Sequence, residues 1–163
     1  MTAQPRLTET FRLFLITGRM GPVELGMTYE EIVGLWGEPE GFAHLPSEPI
    51  YCVYGHVNLG FTAERLLHLI SFEPCQGIGV IPSAAGGLTE LPVPTRVVDL
   101  VAILGRLGEP VVEREPHVRG HVWYEVTTSG VLIDKAEDDA GGAAEEAGLL
   151  GTVIAQDATL RWK

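Results

Sequence analysis

The sequence predicts an α+β fold of two tandem helix-strand-strand-strand repeats, an antiparallel sheet with the helices packed on one face. Three observations lead there. Leu35-Trp36-Gly37-Glu38-Pro39 and Arg106-Leu107-Gly108-Glu109-Pro110 close two predicted helices on the same word, 71 residues apart. After each helix come short strand-like runs separated by turn residues, the pattern of hairpins rather than of parallel crossovers. The chain has 163 residues, 45% of them hydrophobic and 20% charged, enough for one compact domain or two halves sharing a core.

The opening run Phe11-Arg12-Leu13-Phe14-Leu15-Ile16 is rich in strand formers and stops at Gly18, so it reads as an edge strand or short hairpin before the Gly21-Pro22 turn. The first helix follows. Thr28 can cap it, Glu31 completes a capping box, and Met27 and Ile32 are spaced as a hydrophobic staple. Its apolar stripe is Ile32, Val33, Leu35 and Trp36, and Gly37 with Pro39 stops it.

Residues 50–54 and 57–61 flank Gly55-His56, which suits a two-residue hairpin turn with glycine first. Val57, Leu59 and Phe61 alternate with Asn58 and Gly60, as a half-buried antiparallel strand requires, and residues 66–72 supply the third strand. Residues 74–94 hold four prolines among scattered glycines and read as an irregular linker. Thr95 is placed to cap the second helix, with Val97, Val98, Val101, Leu104 and Leu107 as its core stripe. Residues 122–126 and 131–134 form the next hairpin around 127–130, and 149–155 the last strand. The resulting division is a first repeat over 1–75, with its N-terminal strand, a linker over 76–94, and a second repeat over 95–163. An acidic, Ala- and Gly-rich loop occupies 135–148.

Charge narrows the partners. The 22 acidic residues against 11 basic ones give a net charge of −11, which repels nucleic-acid phosphates and anionic lipid surfaces. The acidity is spread over both halves and is densest from Asp134 to Glu146, where six carboxylates face Lys135 alone. That run is either a solvated loop or a surface for a basic partner. The longest apolar run near the start, Leu13 to Ile16, is too short for a signal-peptide core or a membrane span, so a cytoplasmic location is expected. Cys52 and Cys75 share no close-spaced motif and read as free buried thiols, with a single disulfide as the alternative.

Catalytic and cofactor chemistry finds little purchase. His117 and His121 are four apart, and Cys52, His56 and His68 lie near one sheet, but neither set has the close-spaced pair on a rigid turn that zinc sites use. No metal or cofactor is expected. No Gly-x-Ser-x-Gly elbow, Gly-x-Gly-x-x-Gly or Walker-type loop occurs. Glu30 and Glu31 sit in a first helical turn, where the helix dipole favours negative charge, and Glu113 and Glu115 are the other paired carboxylates. The chain is therefore expected not to be an enzyme.

The aromatic residues point elsewhere. Tyr51 and Tyr54 share one predicted strand, and Trp123 and Tyr124 the matching strand of the second repeat. Odd spacing sends side chains to opposite faces, so some of these face away from the helices. An aromatic side chain on an open sheet face is a binding anchor; in the core it is packing.

Leu25-Gly26-Met27-Thr28, then Glu31-Ile32, Gly37-Glu38-Pro39, Tyr54-Gly55 and Leu59-Gly60-Phe61 together resemble a small module. It is the one shared by the outer-membrane assembly lipoprotein BamE group (SmpA/OmlA) and the beta-lactamase inhibitory protein. The match covers residues 21–73 well and 95–155 weakly, and neither a lipoprotein signal nor paired disulfides are expected. The resemblance implies a tandem scaffold that presents a sheet to a protein target, as immunity proteins of bacterial toxin systems also do. The expected function is a non-enzymatic protein-binding module of immunity or inhibitor type, neutralising a basic partner through Tyr51, Tyr54, Trp123, Tyr124, Asp138, Asp139, Glu145 and Glu146. A small-molecule or peptide ligand held between sheet and linker is the alternative.

Overall fold

The computed structural model describes residues 7–43, 51–83, 85–114, 123–135 and 150–157. Its elements run α1 (Glu9–Thr17), α2 (Tyr29–Trp36), β1 (Gly41–Ala43), β2 (Tyr51–Tyr54), β3 (Val57–Phe61), β4 (Leu67–Phe72), β5 (Ile78–Pro82) and β6 (Leu88–Pro92). Then follow α3 (Val97–Arg106), β7 (Val111–Arg114), β8 (Trp123–Val126), β9 (Val131–Lys135) and β10 (Leu150–Gln156). The fold is α+β. Eight strands form one sheet in the order β1-β2-β3-β4-β10-β9-β8-β7, every neighbour antiparallel. The last strand enters the middle of the sheet, where Val153 lies opposite Phe72 and Ala155 opposite Ile70. Counting outward from this β4–β10 seam, α2 precedes β1–β4 and α3 precedes β7–β10.

Three sequence expectations are corrected. The opening run is a helix: Phe11, Phe14 and Leu15, spaced i, i+3, i+4, are all fully buried, so the packing of one helical face overrides the strand propensity of the residues. Gly18 ends it with φ +78°, and a Cβ there would stand 3.5 Å from the Ala155 Cβ. The linker region is the hairpin β5–β6, in register from Ile78 opposite Pro92 to Pro82 opposite Leu88. Prolines at strand ends in a two-stranded sheet break no inner ladder, and packing of Ile81 and Leu91 into the core supplies what an isolated hairpin lacks. In place of three strands, α2 is followed by β1–β4 before the hairpin and α3 by β7–β10, with β1 and β7 as the two edges of the sheet.

The helix expected after Thr28, α2, forms as its sequence requires. Thr28 accepts from the Glu31 N–H at 3.2 Å, the Glu31 carboxylate accepts from the Thr28 N–H at 3.3 Å, and Gly37 closes the helix at φ +82°. Of the expected stripe only Ile32 is buried; Leu35 is exposed. In α3 the cap position falls on Arg96 without a side-chain bond, not on Thr95. The buried residues are Val97, Leu100, Ile103 and Leu104, while Val98 and Leu107 face out, since the short helix turns its other edge to the sheet. Gly108 follows at φ +78°.

Register divides the sheet into two faces. One row of directly opposed residues runs Tyr54, Val57, Phe72, Val153, Ile133 and Tyr124. The helices and the hairpin reach the sheet on this face. Phe11 and Phe14 pack edge-on to Phe72, with ring centroids 5.5 and 6.5 Å away, Tyr29 on Phe61 at 5.6 Å, and Trp36 on Tyr54 at 5.2 Å. Buried α3 residues join the same core cluster.

Candidate functional site

The adjacent residues of the same strands form the other face. Val53, Asn58, Ser71, Ile154, Leu132, Glu125 and Val112 are opposed in turn, one row that crosses seven strands. Tyr51 lies on one side of this row, in register with Gly60, Leu69 and Gln156, and Trp123 on the other, opposite Asp134. Tyr51 and Val112 are 42% and 38% exposed, Val53, Leu69, Leu132, Ile154 and Trp123 are half-buried, and Ser71 is buried. The packing contacts of the helices and hairpin go to the opposite face, so among the described residues this one is uncovered, with Val53, Leu69, Ile154, Leu132 and Val112 interspersed with Asn58, Ser71, Gln156 and Glu125.

The four aromatic candidates are thereby separated. Tyr51 and Trp123 share the open face, five strand spacings apart, or roughly 24 Å. Tyr54 and Tyr124 point to the core. Tyr54 is only 3% exposed, its hydroxyl donates to the Gly37 carbonyl at 2.7 Å, and burial first of all pushes its pKa upward. Tyr124 is half-buried against the core cluster. The Trp123 indole N–H is buried and has no hydrogen-bond partner among the described residues. Asp138, Asp139, Glu145 and Glu146 lie outside the described residues, as do His117 and His121.

The sequence did carry a signal for the open face that alternation alone does not read. Val131-Leu132-Ile133, Val153-Ile154-Ala155 and Val111-Val112 are continuous apolar runs, as expected of strands whose two faces are both apolar. Periodicity cannot say which face the helices cover.

The remaining chemistry-bearing side chains have structural partners. The His56 Nδ1 accepts from the Val80 backbone N–H at 3.1 Å while the His56 backbone N–H donates to the Val80 carbonyl at 2.8 Å, so the Gly55-His56 turn is clamped to β5. Between the sheet and the β5–β6 hairpin, Phe72 packs against Gly79 and Val80 against Gly55. Glu30 pairs with Arg65 at 3.0 Å, and the hydrogen bond from its own backbone, ahead of Arg65, holds its carboxyl below the usual range. Cys52 and Cys75 are both free. Cys52 is buried and its thiol is pushed up to about 12 by desolvation, whereas Cys75 is exposed, which corrects the expectation that both are buried. Among the described residues no three His, Cys, Asp or Glu side chains converge as metal ligands, and no described helix is long and apolar enough to cross a membrane.

A cleft of about 350 Å³ lies between α3 and β7, lined by Val101, Gly105, Gly108, Glu109, Pro110 and Val111. No family model matches this chain, and no curated protein or solved structure is significantly similar to it.

Proposed function

We propose that this chain is a non-enzymatic, cytoplasmic protein-binding module of immunity or inhibitor type, which lays the open face of its sheet against a basic protein partner. The observation that carries this reading is the row from Val53 to Val112, crossing seven strands and flanked by Tyr51 and Trp123. Apolar, aromatic and polar side chains interspersed over such a width fit a protein surface better than a small molecule, which binds in a concave pocket that covers most of it. The net charge of −11 supports a basic partner and fast, salt-sensitive association. The resemblance to the BamE-like and inhibitor-like module supports a duplicated scaffold, as do the shared Gly-Glu-Pro word and the matching element order on either side of the β4–β10 seam.

Capture from the source cells, with wild type and the Tyr51→Ser, Val112→Ser double variant run in parallel, tests it. A stoichiometric basic protein held by wild type, lost from the folded variant and weakened by salt, is the expected result. Equal retention by both sinks the reading of this face.

A further inference from the structure

We infer that the β7 edge and the cleft beside it form a second docking element, which takes an extended peptide as an added antiparallel strand with a basic residue two positions before an apolar one. The inference rests on the reading above only in taking the occupant to be a segment of a polypeptide partner. Among the described residues β7 is the last strand of the sheet, with no partner on its outer edge. The Thr127 N–H donates to the Pro110 carbonyl at 3.0 Å, which makes that pair hydrogen-bonded and, by alternation, Val112 and Arg114 as well. The N–H and C=O groups of Val111 and Glu113 therefore point away from β8, along the free edge. An edge of this kind is a template for strand addition.

The cleft explains why addition here is selective. An incoming strand runs antiparallel to β7, so it meets Glu113 first and Val111 two residues later, both on the helix-facing side. Its residue opposite Val111 enters the cleft between α3 and β7, whose walls are Val101, Pro110 and Val111 and whose floor carries no side chain at Gly105 or Gly108. Its residue opposite Glu113 meets an exposed carboxylate, with Glu109 also on the cleft wall. Arg114 adds little opposing charge, because its guanidinium is paired with Glu125 across the strand on the other face. The charge complement of the exposed Glu113 carboxylate, within a chain of net charge −11, is a lysine or arginine.

The test is titration of the full chain with acetyl-Thr-Arg-Val-Leu-Thr-amide, followed by amide chemical shifts. Saturable shifts at Val111, Glu113 and α3 are expected, with loss of binding when the peptide leucine is N-methylated and weakening of roughly tenfold when its arginine becomes glutamate. Gly105→Leu is expected to abolish binding while leaving the fold intact, since an added Cβ there meets nothing within 4 Å. Glu113→Pro removes the outward N–H without touching the β8 ladder and is expected to do the same. Absence of saturable shifts, or binding indifferent to Gly105→Leu, overturns the inference. So does self-association through β7 that rises in Glu113→Gln, because the carboxylate then merely guards the edge. Partner capture that is lost in the Tyr51→Ser, Val112→Ser variant but unaffected by Gly105→Leu refutes this inference alone; peptide binding at β7 with no partner dependence on the open face refutes the other reading alone.

Discussion

The ring of Phe72 occupies the space that a side chain at Gly79 would need: a Cβ built there would stand 2.7 Å from the Phe72 Cε1, far inside van der Waals contact. This contact seats the β5–β6 hairpin on β4 through the same Phe72 ring that Phe11 and Phe14 pack against edge-on. Gly79→Ala is expected to destabilise the fold by about 1–3 kcal/mol through overpacking, and Phe72→Leu in the same chain to recover part of that loss. Gly105→Ala is the opposite case, an open helical site where alanine should stabilise by about 0.5–1 kcal/mol. Denaturant midpoints that move the same way for both glycines would refute the packing argument.

Tyr51 and Tyr54 should part company on substitution. Tyr54→Phe removes the 2.7 Å bond to the Gly37 carbonyl and leaves that acceptor short of a partner, at a cost of about 1 kcal/mol. Tyr51→Ala, on the open face, is expected to change stability by no more than about 0.5 kcal/mol while weakening partner binding. Thermal denaturation of the two variants, read beside the capture assay, checks both halves.

The capping box of α2 gives a local measure. Thr28→Ala removes the acceptor for the Glu31 N–H and is expected to cost about 1 kcal/mol, with Thr28→Ser retaining most of the stability. Urea unfolding of the three proteins decides it.

The two thiols differ in reach. A disulfide-exchange reagent should titrate Cys75 rapidly in the native chain and Cys52 only after unfolding. Burial raises the folded-state pKa of Cys52 from 9.0 to about 12, so its neutral form is the one the fold favours. The corresponding stability is fully present below pH 9.0 and is lost as pH rises towards 12, where the unfolded thiol ionises first. The upward shift at Tyr54 has the same sign. Cys52→Ala should flatten this alkaline fall, measured as denaturation midpoints from pH 8 upward; an unchanged slope would contradict it.

Salt is the last handle. If a basic partner is steered by the net charge of −11, its association rate should fall as ionic strength rises, and neutralising Asp138, Asp139, Glu145 and Glu146 together should reduce that dependence. Stopped-flow association at several salt concentrations reads both effects.

By itself the sequence determined what short-range chemistry can specify. The capping box at Thr28 and Glu31, the positive-φ glycines after both helices, the Gly55-His56 turn and the alternation of Val57, Leu59 and Phe61 are each written in neighbouring residues, and each is present as read. The tertiary structure decided the rest. Phe11, Phe14 and Leu15 are helical because Phe72 and its neighbours bury that face, which outweighs their propensity for strand. Residues 78–92 pair as a hairpin because the core receives Ile81 and Leu91, despite their prolines. The open face is set by which side the three helices cover, a choice among long-range packings. A period of two separates Tyr51 from Tyr54 but cannot say which of them meets the solvent.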